Sequence, residues 1–167
     1  GTITAQNSNI TLTNAVGSYG IFAASATNTL ITVNVDNATI KAGGDTQNAK
    51  SGTVRAAVGV FLMSANPYSQ VRLNKAQIYA NDIGIAVNGG QLNATGGGSI
   101  TSYNGSAIAV EGGNVTFDST EKFTVASTIN RNESDSTEHA YEIQLQKVTE
   151  SCYNSVAYGN IDGIYVS

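Results

Sequence analysis

Tryptophan is absent from these 167 residues, and cysteine, proline, methionine and histidine each occur once. A single cysteine, Cys152, excludes an intrachain disulfide and any multi-cysteine zinc site. Charge is scarce too. Eight Lys and Arg stand against twelve Asp and Glu, for a net charge of −4. Nucleic-acid surfaces need a basic footprint, so that partner class is set aside. No apolar run comes near the ~18 residues of a membrane helix. The chain is nevertheless 41% hydrophobic, too apolar for a disordered polar segment. Of the 34 Val, Ile and Leu residues, 28 are β-branched, which favours strands over helices. Gly, Asn, Thr and Ser fill 70 of the 167 positions. The length suits one domain or a piece of one. The chain starts at Gly1 without Met and ends at Ser167 inside a strand-like run, so we read residues 1–167 as a single segment of a longer protein.

Three short strand patterns recur in a fixed order. The first is a small residue followed by alternating apolar positions: Tyr19–Ala23 (YGIFA), Val58–Leu62 (VGVFL), Ile83–Val87 (IGIAV), Ser106–Val110 (SAIAV) and Asp162–Val166 (DGIYV), with a weaker copy at Ala140–Leu145. The second pattern precedes several of these, at 9–13, 37–42, 75–80 and 98–102. A third follows them, at 30–35, 70–74, 91–95 and 114–118. Ile78 and Ile100 lie 22 residues apart, and Ile85 and Ile108 lie 23 apart. Elsewhere the spacing widens to 38 between Ile40 and Ile78, and to 39 between Ile21 and Val60. A base period with occasional polar insertions is the signature of a solenoid with loop excursions.

The period-two alternation buries one face of each strand. Gly and Asn fill the gaps, as at Asn88–Gln91 and Glu111–Asn114, and both tolerate the positive φ of a sharp corner. The spacing therefore predicts an all-β fold, a right-handed parallel β-helix (β-solenoid) of about six coils with loop insertions. Strands ~4.8 Å apart would make a rod roughly 30 Å long. Its interior is a column of Ile, Val, Leu, Phe and Ala. A β-sandwich also has many short strands, but a repeating three-strand order with one signature is foreign to it.

Gly98–Asp118 (GSITSYNGSAIAVEGGNVTFD) resembles one coil of an autotransporter passenger domain. The likeness is strongest over 76–118, good over 9–42 and weak over 119–167. The resemblance implies a right-handed parallel β-helix displayed on a Gram-negative cell surface or secreted. It also implies attachment to the outer membrane through a β-barrel that these residues do not include. The shared pattern is architectural. Relatives include adhesins, self-associating proteins, proteases with a separate protease domain and esterases, so no catalytic residue carries over.

Chemical groups concentrate in three places. The most charged stretch is 130–140, where Arg131, Glu133, Asp135, Glu138 and His139 crowd into nine residues. As a loop leaving the rod it would present polar groups on a rigid scaffold; the plain alternative is a solvated excursion. One histidine without a second nitrogen ligand makes a poor transition-metal site. The insertion at 43–57 carries Asp45, Lys50 and Arg55. The segment 63–69 holds the one Met, the one Pro and Tyr68, whose ring is placed on a turn, either for contact or lying against its own loop. Glycoside hydrolysis needs two carboxylates roughly 5–10 Å apart, yet no ladder of acids recurs at one coil position. Glu111 aligns with Asn88, Asp118 with Thr95 and Asp82 roughly with Asn104. No Gly-x-Ser-x-Gly nucleophile motif is present. The expectation is a non-enzymatic adhesin with no cofactor and no metal, contacting host cells, matrix protein or glycan, or a copy of itself. A glycan-processing β-helix fragment and a passive spacer are the alternatives. An acid cluster on one sheet face would favour the enzyme, and inert loops would favour the spacer.

Overall fold

The computed structural model describes residues 1–12, 17–43, 57–102, 106–117, 121, 123–129, 139–145, 149–150 and 164–166, with backbone alone from 127 onward. These residues form an all-β fold of mostly parallel sheets around a main apolar core, with a small second cluster of Ala42, Ala57 and Ala80. No helix among them is long and apolar enough to cross a membrane.

Among the described residues, fifteen strands run in chain order: β1 (Thr2–Gln6), β2 (Asn9–Leu12), β3 (Ser18–Ser25), β4 (Thr32–Asp36), β5 (Thr39–Ala42), β6 (Ala57–Ser64), β7 (Gln70–Asn74), β8 (Gln77–Ala80), β9 (Ile85–Ala94), β10 (Gly98–Ser102), β11 (Ile108–Phe117), β12 (Phe123–Ile129), β13 (His139–Leu145), β14 (Thr149–Glu150) and β15 (Ile164–Val166). They pair into three parallel ladders. The first joins β3, β6, the front half of β9, the front half of β11, and β15. The second joins β2, β5, β8, β10 and β12. The third joins β1, β4, β7 and the rear halves of β9 and β11. The three recurring patterns of the sequence are these three ladders.

Register explains the patterning. Ile10, Ile40, Ile78, Ile100 and Val125 are successive partners in the second ladder. Val33, Val71, Leu92 and Val115 stack likewise in the third, and Ile21, Val60, Ile85 and Ile108 in the first. Nearly all of these side chains are withdrawn from water, so the rows meet as a continuous column, as the alternation predicted. At the rear end, Phe117 and Phe123 fill the core with rings 5.3 Å apart.

Corners are set by backbone conformation. Gly89 (φ 69°) and Gly112 (φ 65°) turn β9 and β11 from the first ladder into the third. Between the third ladder and the second, Asn7, Asn37 and Lys75 follow the register partners Gln6, Asp36 and Asn74 and share φ values of 48°, 46° and 49°. The Asn37 amide also donates to Asn7 Oδ1 at 2.7 Å. Asparagine tolerates this left-handed region; lysine does so less readily. Lys75→Asn is therefore expected to raise stability by about 0.5–1 kcal/mol, read as a later urea midpoint with an unchanged slope.

Two expectations need correction. Ala140–Leu145 resembles a weak copy of the first pattern, but β13 lies beside β12 in the sheet of the second ladder. The pairing is also not parallel throughout. β13 runs antiparallel to β12, and β14 antiparallel to β11. Alternation fixes which face of a strand is buried but is silent on its direction, because a reversed strand keeps the same period.

Candidate functional site

The outward side chains of the third ladder form three rows. Thr2, Thr32, Gln70, Gln91 and Asn114 are successive partners in one. Thr4, Asn34, Arg72, Asn93 and Thr116 make the next. Gln6, Asp36 and Asn74 close the face at the corner. On β4, β7 and the rear halves of β9 and β11 the outward residues alternate with buried ones, while on β1 Ile3 stays exposed, so a packed core holds most of the polar face in place.

Hydrogen bonds run across the strands on this face. Asn34 Nδ2 donates to Thr4 Oγ1 at 3.4 Å, and Asn93 Nδ2 to Gln70 Oε1 at 3.2 Å. Asp36 is bracketed: Gln6 Nε2 reaches one carboxylate oxygen at 2.9 Å and Asn74 Nδ2 the other at 2.7 Å. Between these groups lies a groove of about 450 Å³, lined by Thr4, Asn34, Asp36, Arg72, Asn74 and Thr95 among others. Among the described residues the exposed Arg72 guanidinium has no hydrogen bond and no ion pair.

A second feature is the edge where the loop at 64–69 meets the one at 25–31. Ser64 and Ser69 share a buried hydroxyl bond of 2.8 Å, and the backbone N–H of Ile31 donates to Ser69 Oγ at 2.9 Å. Asn66 accepts from the backbone N–H of Tyr68 at 2.9 Å and donates to the Asn28 carbonyl at 3.1 Å. This fixed turn holds up Tyr68, which is 72% exposed. The residue is on a turn and exposed, as expected.

The third feature is aromatic. Phe22 and Phe61 are partners on the outside of the first ladder, with rings stacked 5.4 Å apart and 3° from parallel. Tyr19 leans on both, at 5.0 and 5.4 Å. Phe22 is 51% exposed, and Met63 stands nearby, also exposed. Past Phe61 the same row shrinks to Ala86 and Ala109.

Of the predicted contact residues, the described structure places Tyr68 alone in full. Asp45, Lys50, Arg131, Glu133, Asp135 and Glu138 lie outside the described residues. His139 is described by its backbone, opposite Ile129 where β13 meets β12. No cluster of three or more potential metal ligands occurs among the described residues. The predicted alignment of Glu111 with Asn88 is present, and Asn88 Nδ2 donates to the Glu111 carboxylate at 3.2 Å. Asn104 and Asp118 lie outside the described residues.

Sequence reasoning missed the Arg72 groove and the Phe22–Phe61 pair. The signal for the pair was present: phenylalanine fills the outward position of the first pattern in two consecutive copies. The groove assembles residues more than twenty positions apart, each of which alone reads as an ordinary solvated side chain. No protein family, no curated protein and no solved structure matches this chain.

Proposed function

We propose that this chain is a stretch of right-handed parallel β-helix from an autotransporter passenger domain, at a bacterial cell surface or secreted, and that it works by adhesion and not by turnover. The strand order supports the winding. The chain visits the third, second and first ladders in turn and repeats the order. Crossovers between parallel strands are right-handed in about 98% of cases.

The observation that carries the adhesive reading is the outer face of the third ladder. It offers hydroxyl and amide groups at a strand spacing of ~4.8 Å, on a bed whose inner side is filled. Such a face makes many weak contacts that add by multivalency. Among the described residues no two carboxylates are register partners, which speaks against a glycan-cleaving site.

The test uses beads coated with the chain and offered to epithelial cells. Adhesion predicts binding that excess free chain competes away. Clumping of coated beads without cell binding would assign the contacts to a second copy. Failure of both would remove the adhesive reading and leave the spacer, or cleavage of a polysaccharide as the next assay.

A further inference from the structure

We propose that the groove on the third ladder binds a carboxylate-bearing saccharide, with Arg72 gripping the carboxylate. This deepens the adhesive reading and rests on it.

Charge supplies the first part of the case. Arg72 projects from the middle of β7 between Asn34 and Asn93, its partners on the two neighbouring strands. Both neighbours are neutral amides, so neither offers an anion. Asp36 is the one carboxylate lining the groove, and Gln6 and Asn74 already hold its two oxygens. Lys75 stands just beyond Asn74 at the exposed corner. Among the described residues the groove therefore holds a guanidinium without an ion pair at its middle and, at its corner, a carboxylate whose oxygens are taken up by neutral amides.

Geometry supplies the second part. A guanidinium presents a planar fork of donors that matches a carboxylate two bonds at a time. On either side the groove offers the bonding capacity left to the Thr4 and Thr95 hydroxyls and to the Asn34 and Asn74 amides, each of which makes one hydrogen bond within the protein. Hydroxyls and amides exchange hydrogen bonds with sugar hydroxyls in both directions. The groove volume of about 450 Å³ falls within the ~300–1,000 Å³ of ordinary ligand pockets. Nucleic acid is disfavoured, because two cations neutralise too few phosphates. A peptide would want an apolar slot, and the apolar side chains of β4, β7 and the rear halves of β9 and β11 are buried in the core.

The experiment compares immobilised polygalacturonate, which has a carboxylate on every ring, with neutral dextran and with dextran sulfate, in calcium-free buffer. Retention of the wild-type chain on polygalacturonate but not on dextran is the expected result. Arg72→Gln should weaken retention about tenfold, the scale of a charge-assisted pair. Arg72→Lys should recover it in part, since the charge returns without the fork. The guanidinium is exposed and unpaired, so both variants should unfold at the wild-type midpoint.

Equal retention on dextran, unchanged retention of Arg72→Gln, or preference for dextran sulfate would each overturn the proposal. Running the variants on beads with cells separates the two claims. Cell binding that survives Arg72→Gln overturns the groove and leaves adhesion standing. If wild-type beads fail on cells yet polygalacturonate retention depends on Arg72, adhesion fails and the groove stands.

Discussion

Replacing Gly59 with valine is expected to cost more than about 3 kcal/mol, the upper end of overpacking penalties, and to deny the chain a folded state at physiological temperature. A Cβ built on Gly59 comes within 2.5 Å of two atoms: the carbonyl oxygen of Gly84, just ahead of β9, and Cγ2 of Ile78 in the second ladder. One is backbone. The other belongs to a side chain with no exposed surface, packed among Ile40 and Ile100. Neither can withdraw without moving a ladder. Gly20 stands in the same relation to the Gly59 oxygen at 2.6 Å and to Ile40 Cγ2 at 2.5 Å, and Gly84 meets Ile100 and the Ala107 carbonyl. The small residue that opens the first pattern thus lets the first ladder lie flush against the isoleucine row of the second. Typical domains hold only ~5–15 kcal/mol in total, so one such clash removes a large share. Circular dichroism and urea unfolding would read the loss. A folded Gly59→Val protein with a midpoint close to wild type would show that the ladders slide apart more easily than this packing allows.

Most of the ladder framework was legible in the sequence, and the reason is local. A strand with one buried face writes its orientation as period two, and strands stacked in register repeat the same residue type at the same place. Ile40, Ile78 and Ile100 are legible as one row from sequence alone because each occupies the same position of its pattern. What was not legible depends on contacts between segments. The small residue at Gly20, Gly59 and Gly84 was visible, but its cause lies in an isoleucine from another ladder. Ala140–Leu145 has a strand pattern, yet nothing local says that it reverses onto β12. The groove on the third ladder escaped the sequence for a related reason. Clustered charge such as that at 130–140 is visible in a linear chain; a groove built across strands is not. Arg72 gains its meaning from Asn34 and Asn93 on either side, and from the Gln6 and Asn74 amides, each on another strand from Asp36, that occupy its carboxylate.

The two phenylalanine pairs offer the second large effect, because they contrast the same residue in two settings. Phe117 and Phe123 have no exposed surface and touch at a tilt of 57°. Phe117 also ends an inner row that reads Ala5, Val35, Leu73 and Ala94 on the strands before it. Its ring therefore fills space at the rear of the core that Ala94 leaves open. Phe117→Ala should cost about 3–5 kcal/mol, since both transfer energy and a cavity are lost. Phe22 and Phe61 stack outside the first ladder, with Phe22 half in water. Phe22→Ala should cost only about 1 kcal/mol, the value of a surface aromatic pair. Urea midpoints of the two variants measured side by side give the comparison directly. Equal losses would mean that the outer pair is a structural seam, and an aromatic face on the first ladder would then need no partner to explain it. A small loss for Phe22 and a large one for Phe117 would separate fold from surface: the inner pair holds the rear of the stack together, and the outer pair is carried by the fold without supporting it.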